Sequence, residues 1–379
     1  MTHTALARCV LLPLSLAGTP AAAHVEAAQF AGDAFVAPAE IVDCTLVNGD
    51  ESQCLRVTLS ERPDSLQIGP FCPETTDEAG GIWYWSGDNA GLYRLDQGFW
   101  ALLKTLGYDF TDGSGGINQG SPTGARPEAD HACISATETD DVRITALIPV
   151  EPIKAEAATT LGTVNKVGIA LDGVPIFSDA PTVAMTGHLP ALDLCGGHVD
   201  PGGWFHWHAT ATDIDTVYEA QGVDAACTAR VQSAGALFAY AFDGYPIYGS
   251  AEPDGGQVTG LDACNGHDSE DLGYHYHASD EFPNLPPCLT GVVAEDNFST
   301  TAAAGIGAVN PDGSDGQGAG PARGPDLAAA ASILGVSEQA LAGAIKDAGG
   351  PPPDLEAVAT LLDLSIEDVR DALAPPTNR

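Results

Sequence analysis

The chain has 379 residues, and 52 Asp and Glu against 14 Lys and Arg give it a formal net charge of -38 and a pI near 4.1. Nucleic acid and anionic membrane surfaces are excluded as main partners, because both are held by clustered Lys and Arg that this sequence lacks. An apolar content of 44% excludes general disorder, while 44 Gly and 27 Pro with only 17% charged residues predict turns and short strands rather than long helices.

At the N-terminus, Arg8, the apolar stretch Cys9 to Gly18 and the small residues Ala21, Ala22 and Ala23 read as a cleaved secretory signal over residues 1–23. The apolar stretch falls short of the roughly 20 residues a spanning helix needs, and no later segment reaches that length. The expectation is an exported protein, secreted or periplasmic, with no membrane span. Cleavage after Ala23 would make His24 the first residue, its free amine beside its imidazole; a mobile terminus is the plainer reading. Removing Cys9 leaves eight cysteines: Cys44, Cys54, Cys72, Cys133, Cys195, Cys227, Cys264 and Cys288. Export and even number predict disulfides, and the lack of any Cys-x-x-Cys pair argues against a thiolate metal site.

Residues 40–66 alternate apolar and polar and predict a hairpin, closed by Cys44 with Cys54. Trp83, Trp85 and Trp100 lie in an aromatic stretch over 82–103 that predicts core packing, with a carbohydrate platform as the alternative. Residues 111–128 read as a loop, and Asp141 to Val150 as a strand. Asp109 to Gly116 and Asn310 to Asp315 carry acids, but neither has the spacing and distal Glu of an EF-hand loop.

The most informative feature is an internal repeat, about 164–230 and 235–295. Val167 to Leu171, Asp172-Gly173 and Val174 to Phe177 match Phe238 to Phe242, Asp243-Gly244 and Tyr245 to Tyr248 at an offset of 71. Each copy predicts a hairpin with a two-residue type I′ turn at Asp-Gly, its Pro placing the return strand at an edge or a bulge. Downstream, Cys195-Gly-Gly-His198 matches Cys264-Asn-Gly-His267, and His206 and His208 match His275 and His277, all at an offset of 69.

Each copy therefore holds His-x7-His-x-His: His198, His206 and His208, then His267, His275 and His277. Residues two apart in a strand share a face, so both imidazoles of His-x-His reach one ion, and the third follows a turn where Gly permits close approach. Three neutral imidazoles suit copper or zinc. Asp193 and Asp262 stand where they would either orient an imidazole or cap the turn. The repeat pairs Cys195 with Cys227 and Cys264 with Cys288, leaving Cys72 with Cys133. No nucleophile elbow, phosphate-cradling loop or dinucleotide fingerprint is present.

Residues 300–324 read as a flexible linker, and 325–379 as a helical domain of two similar helix pairs, Asp326 to Ile345 matching Asp354 to Leu373 at an offset of 28. With only Lys346, Arg370 and Arg379 as basic residues, this domain is expected to dock a protein partner rather than DNA.

Gly273-Tyr274-His275-Tyr276-His277, preceded by Cys264-Asn-Gly-His267 and Asp243-Gly-Tyr-Pro-Ile-Tyr248, resembles the YHYH domain family of secreted and cell-envelope proteins over roughly residues 40–295. The family supplies no reaction to carry over, and in the first copy Phe205 and Trp207 stand in place of the tyrosines. The expectation is a mainly β, disulfide-stabilised domain over 24–299 that holds copper or zinc through the two triads, followed by the helices. The alternative is a non-catalytic adhesion module, binding glycan or protein, in which the histidines are structural.

Overall fold

The computed structural model describes residues 25–372 apart from 31, 86, 123–128, 162–165, 178–182, 184–186, 209–232, 251, 255, 280–284, 310–314, 317–326, 337 and 349–354. The expected signal segment, His24, Cys227 and most of the expected linker lie outside the described residues. The rest is mainly β, with small helices near the C-terminus.

In chain order, β1 (Glu40–Thr45) and β2 (Glu51–Ser60) form the hairpin, followed by β3 (Ile82–Trp85), β4 (Gly91–Arg94) and α1 (Gln97–Thr105). Next come β5 (Gln119–Gly120), β6 (Ala132–Ile134), β7 (Arg143–Pro149) and β8 (Lys154–Thr160). The first repeat supplies β9 (Lys166–Ala170), β10 (Pro175–Phe177), β11 (His188–Pro190), β12 (Gly197–Val199) and β13 (Phe205–Trp207). The second supplies β14 (Leu237–Ala241), β15 (Pro246–Tyr248), β16 (Gly266–Ser269) and β17 (Gly273–His277). Then follow β18 (Cys288–Gly291), β19 (Phe298–Thr300), β20 (Ala308–Val309) and β21 (Asp315–Gly316), the last two falling within the stretch read as a linker.

Two sheets share the main core. The first runs β1-β2-β7-β19-β20-β21. Its central strands alternate as their sequences predict: Leu55, Val57 and Leu59 are buried and pair directly with Ile148, Ala146 and Ile144. Each such side chain contributes on the order of 1.5–3 kcal/mol of burial. The second sheet runs β12-β13-β10-β9-β14-β15-β17-β16 and carries both repeats. Its order is the first copy followed by the second in reverse. The copies meet at the antiparallel pair β9–β14, where Ile169 lies opposite Tyr240, Gly168 opposite Ala241 and Ala170 opposite Ala239. Ile169 and Tyr240 are equivalent positions of the repeat, so a pseudo-twofold axis passes through the sheet at that pair.

The Asp-Gly turns differ from the predicted type. Gly173 and Gly244 take φ of 91° and 89°, and neither Asp172 nor Asp243 has positive φ. The amide of Gly173 bonds to the Ala170 carbonyl and that of Gly244 to Ala241, which makes each a three-residue loop with Gly in the left-handed position rather than a type I′ turn. The proline-bearing strands β10 and β15 are interior, and a register irregularity at Ile176/Phe177 accommodates the first.

A second core forms around β3, β4 and α1. Trp83, Trp85 and Trp100 are at most 4% exposed, which removes the platform that a glycan would need from them. Helix α1 is capped by Asp96, whose side chain accepts from the Phe99 amide. Disulfides join Cys44 to Cys54, Cys72 to Cys133 and Cys264 to Cys288 as predicted. Cys195 is disulfide-bonded as well.

Toward the C-terminus, α2 (Leu327–Leu334), α3 (Glu338–Asp347), α4 (Leu355–Leu362) and α5 (Ile366–Ala372) bury a cluster of their own that includes Ala330, Leu341, Val358 and Val369. The Ser365 hydroxyl accepts from the Asp368 amide and caps α5. Among the described residues, no helix is long and apolar enough to cross a membrane.

Candidate metal centres

Each triad is built by one β-hairpin and one turn. In β12–β13, His198 lies directly opposite His206; in β16–β17, His267 lies opposite His275. His208 and His277 project from the same face as His206 and His275. The intervening Trp207 and Tyr276 turn inward and are fully buried, which fixes the strands.

The turns that deliver His198 and His267 are built alike. Asp193 Oδ1 accepts from the amides of Cys195 (2.8 Å) and Gly197 (3.1 Å); Asp262 Oδ1 accepts from Cys264 and Gly266 at the same distances. These hydrogen bonds cap the turn. The residue after each Cys is in the left-handed region, at φ 81° for Gly196 and 61° for Asn265, a position that favours Gly and tolerates Asn. The next glycine is required for space. A Cβ on Gly197 would lie 2.4 Å from the Phe205 ring, and one on Gly266 would lie 2.2 Å from the Tyr274 hydroxyl. The aromatic residue preceding each His-x-His thus packs on the glycine that precedes the third His.

The imidazoles converge through Nε2. His206 is 2.9 Å from His208, and His208 is 3.1 Å from His198. In the second triad, His267 is 3.0 Å from His275 and 3.3 Å from His277. Three nitrogens bonded to one tetrahedral ion at about 2.0–2.1 Å lie about 3.3 Å apart, so both triads have the spacing of a three-histidine site. Every set of three ligand atoms falls within 4.8 Å.

Protonation points the same way. His275 Nδ1 is 2.9 Å from the Gly273 carbonyl and His277 Nδ1 is 2.8 Å from the Gly249 carbonyl. A carbonyl only accepts, so each Nδ1 carries the proton and each neutral ring turns a bare Nε2 lone pair inward. One N–H on His267 can satisfy one of those lone pairs; a cation satisfies all three. In the first triad, His198 bonds to the backbone carbonyls of Ala191 and Pro190, and His206 Nδ1 is buried without a hydrogen-bond partner. Burial, the largest cause in every case, pushes His198, His206 and His275 below the usual imidazole range and His277 down to about 4. These four rings are held neutral, the form that binds metal.

The two triads are separate. Strands β13 and β17 are five steps apart, roughly 24 Å at about 4.8 Å per step. Register puts them on one face, since Ile169, Pro175, His206 and His208 share a side with Tyr240, Pro246, His275 and His277.

The copies differ in what surrounds them. The Tyr274 hydroxyl donates to Asp262 Oδ2 at 2.8 Å, and that of Tyr276 to Asp243 Oδ2 at 2.6 Å, while Thr290 donates its amide to the Tyr276 hydroxyl at 2.7 Å. Phe205 and Trp207 hold those places in the first copy. The structure brings the six histidines proposed from sequence together as two triads; sequence reasoning did not single out Trp204, Phe177 and Tyr248, whose rings lie 5.0, 4.7 and 5.2 Å from His206, His206 and His275 respectively. The repeat alignment pairs Phe177 with Tyr248, which was the available signal.

Residues 145–257 match the model of the family described as YHYH protein, and the chain carries a YHYH domain. The matched span contains the first triad and the second Asp-Gly hairpin and ends before His267, so it is narrower than the resemblance over 40–295. The second triad is tied to it by the duplication. No curated protein and no solved structure matches the chain.

Proposed function

We propose that this is an exported metal-binding protein that holds one transition-metal ion, copper or zinc, in each of its two three-histidine sites. The observation that carries the reading is the convergence of three Nε2 atoms in both copies, with the His275 and His277 lone pairs turned inward where one cation satisfies them together. Duplication adds weight, because the spacing of six histidines is kept while the neighbouring residues diverge. The net charge of -38 raises the local concentration of cations. Disulfides within the β domain favour an oxidising compartment outside the cytoplasm.

Three protein ligands leave a fourth position, and an ion so held supplies Lewis-acid chemistry or, for copper, one-electron redox chemistry. The protein's part is to hold the rings neutral, orient them through backbone carbonyls and anchor the strands through Trp207 and Tyr276. The adhesion alternative loses support, since the tryptophans it would use as a glycan platform are core, as the aromatic stretch predicted.

The test is elemental analysis of the full chain after export, beside a variant with His206, His208, His275 and His277 changed to Ala. The reading expects two ions per chain in the first and none in the second, with circular dichroism showing a retained β fold. A metal-free wild type after copper and zinc supplementation overturns it.

A further inference from the structure

The two triads have the same ligands and different walls. In the first copy, Trp204 is fully buried and its ring lies 5.0 Å from His206 and 5.3 Å from Phe298. Phe177, also fully buried, lies 4.7 Å from His206 and 5.5 Å from Trp204. Two rings, Trp204 and Phe177, therefore pack against His206, and Phe298 backs them.

At the offset of 69, the residue equivalent to Trp204 is Gly273. A Cβ built there meets nothing within 4 Å, and among the described residues no indole lies beside His275 as Trp204 lies beside His206, although His275 and His277 are each only 3% exposed. The equivalent of Phe177 is Tyr248, a half-buried residue that pairs with His277 across β15–β17. Its ring lies 5.2 Å from His275 and 6.1 Å from His277. Where the first site presents carbon, the second presents a hydroxyl, and that hydroxyl makes no hydrogen bond to another described residue.

Resting on the metal-binding reading above, we propose that the second triad is the reactive site of the pair. Its ion takes water or a small anionic ligand in the fourth position, and Tyr248 is the hydroxyl that hydrogen-bonds to that ligand. The first triad is a closed site that holds its ion without exchange. Duplication has thus given one structural and one ligand-binding centre on the same sheet.

The experiment uses the full chain loaded with Cu(II) and titrated with azide, followed by electron paramagnetic resonance and visible absorption. Two variants isolate the sites: His206→Ala with His208→Ala keeps the second, and His275→Ala with His277→Ala keeps the first. Azide is expected to change the spectrum of the variant that keeps the second triad and to leave the other unchanged. Tyr248→Phe, which retains the ring, is expected to keep two copper ions per chain and to weaken azide binding at least tenfold. A response confined to the first triad, equal responses at both, or an unchanged azide affinity in Tyr248→Phe overturns the proposal. Failure of the underlying reading is distinct: the isolated-site variants would then bind no copper at all.

Discussion

Ile169 and Tyr240 face each other across the centre of the eight-stranded sheet, and they are the same position in two copies of one unit. Everything on one side of that pair is repeated on the other in reverse order, out to the hairpins that carry the histidines. The two triads are therefore far apart by construction and share no side chain.

Independence follows from that separation. Changing His206 and His208 to Ala is expected to remove one ion per chain and leave the affinity of the other unchanged within about threefold, as sites more than 10 Å apart with no shared partner behave additively. Metal titration of the variant checks this; loss of both ions would show coupling through the sheet.

Gly197 is held to its identity by Phe205. A methyl group there would sit 2.4 Å from the ring and 2.5 Å from the His206 carbonyl, which is backbone and cannot swing away. Gly197→Ala is expected to cost about 1–3 kcal/mol by overpacking and to weaken the first site alone. Denaturant unfolding and metal stoichiometry measure the two effects.

Tyr276 ties the second site's strand to Asp243, which is fully buried and also accepts from the amides of Gly291 and Tyr245. Burial raises the Asp243 carboxyl above its ordinary range, against these hydrogen bonds, which lower it. A raised acid stabilises the fold most below its unfolded value, near 3.9, and that contribution is lost as pH rises through the folded value. Tyr276→Phe removes a donor that favours the ionised form. Its penalty, about 1–3 kcal/mol, is expected to be smallest near pH 4 and to grow as pH rises through the folded value. Unfolding curves across that window test the sign; a penalty that shrinks with rising pH would contradict it.

Cys264 sits inside the turn that delivers His267, and its bond to Cys288 closes 24 residues of chain. Replacing both with Ser is expected to cost about 3 kcal/mol by the chain-entropy account and to lower metal affinity at the second site only. Calorimetry and metal titration check the pair of effects.

The two histidine triads were legible because the same spacing of three histidines is kept in both copies. So were the hairpin of β1 and β2, the tryptophan core and three disulfides, each set by local pattern or by elimination within the repeat. The reversed strand order was not, because it depends on β9 pairing with β14 across about 70 residues, and nothing in Ile169 or Tyr240 specifies a partner. The turn type escaped for a local reason: Asp-Gly fits both a two-residue loop and the longer one in which Asp172 and Asp243 stay right-handed. The unequal walls of the triads escaped because Trp204 and Gly273 look unrelated until the hairpins are superposed on their histidines.

The most direct test of the central claim is anomalous diffraction at the copper and zinc edges from crystals of the full chain grown with both metals. The account predicts two separated peaks, one within about 2.1 Å of Nε2 of His198, His206 and His208 and one equally close to those of His267, His275 and His277. Peaks elsewhere, or none at either triad in metal-supplemented crystals, would contradict it.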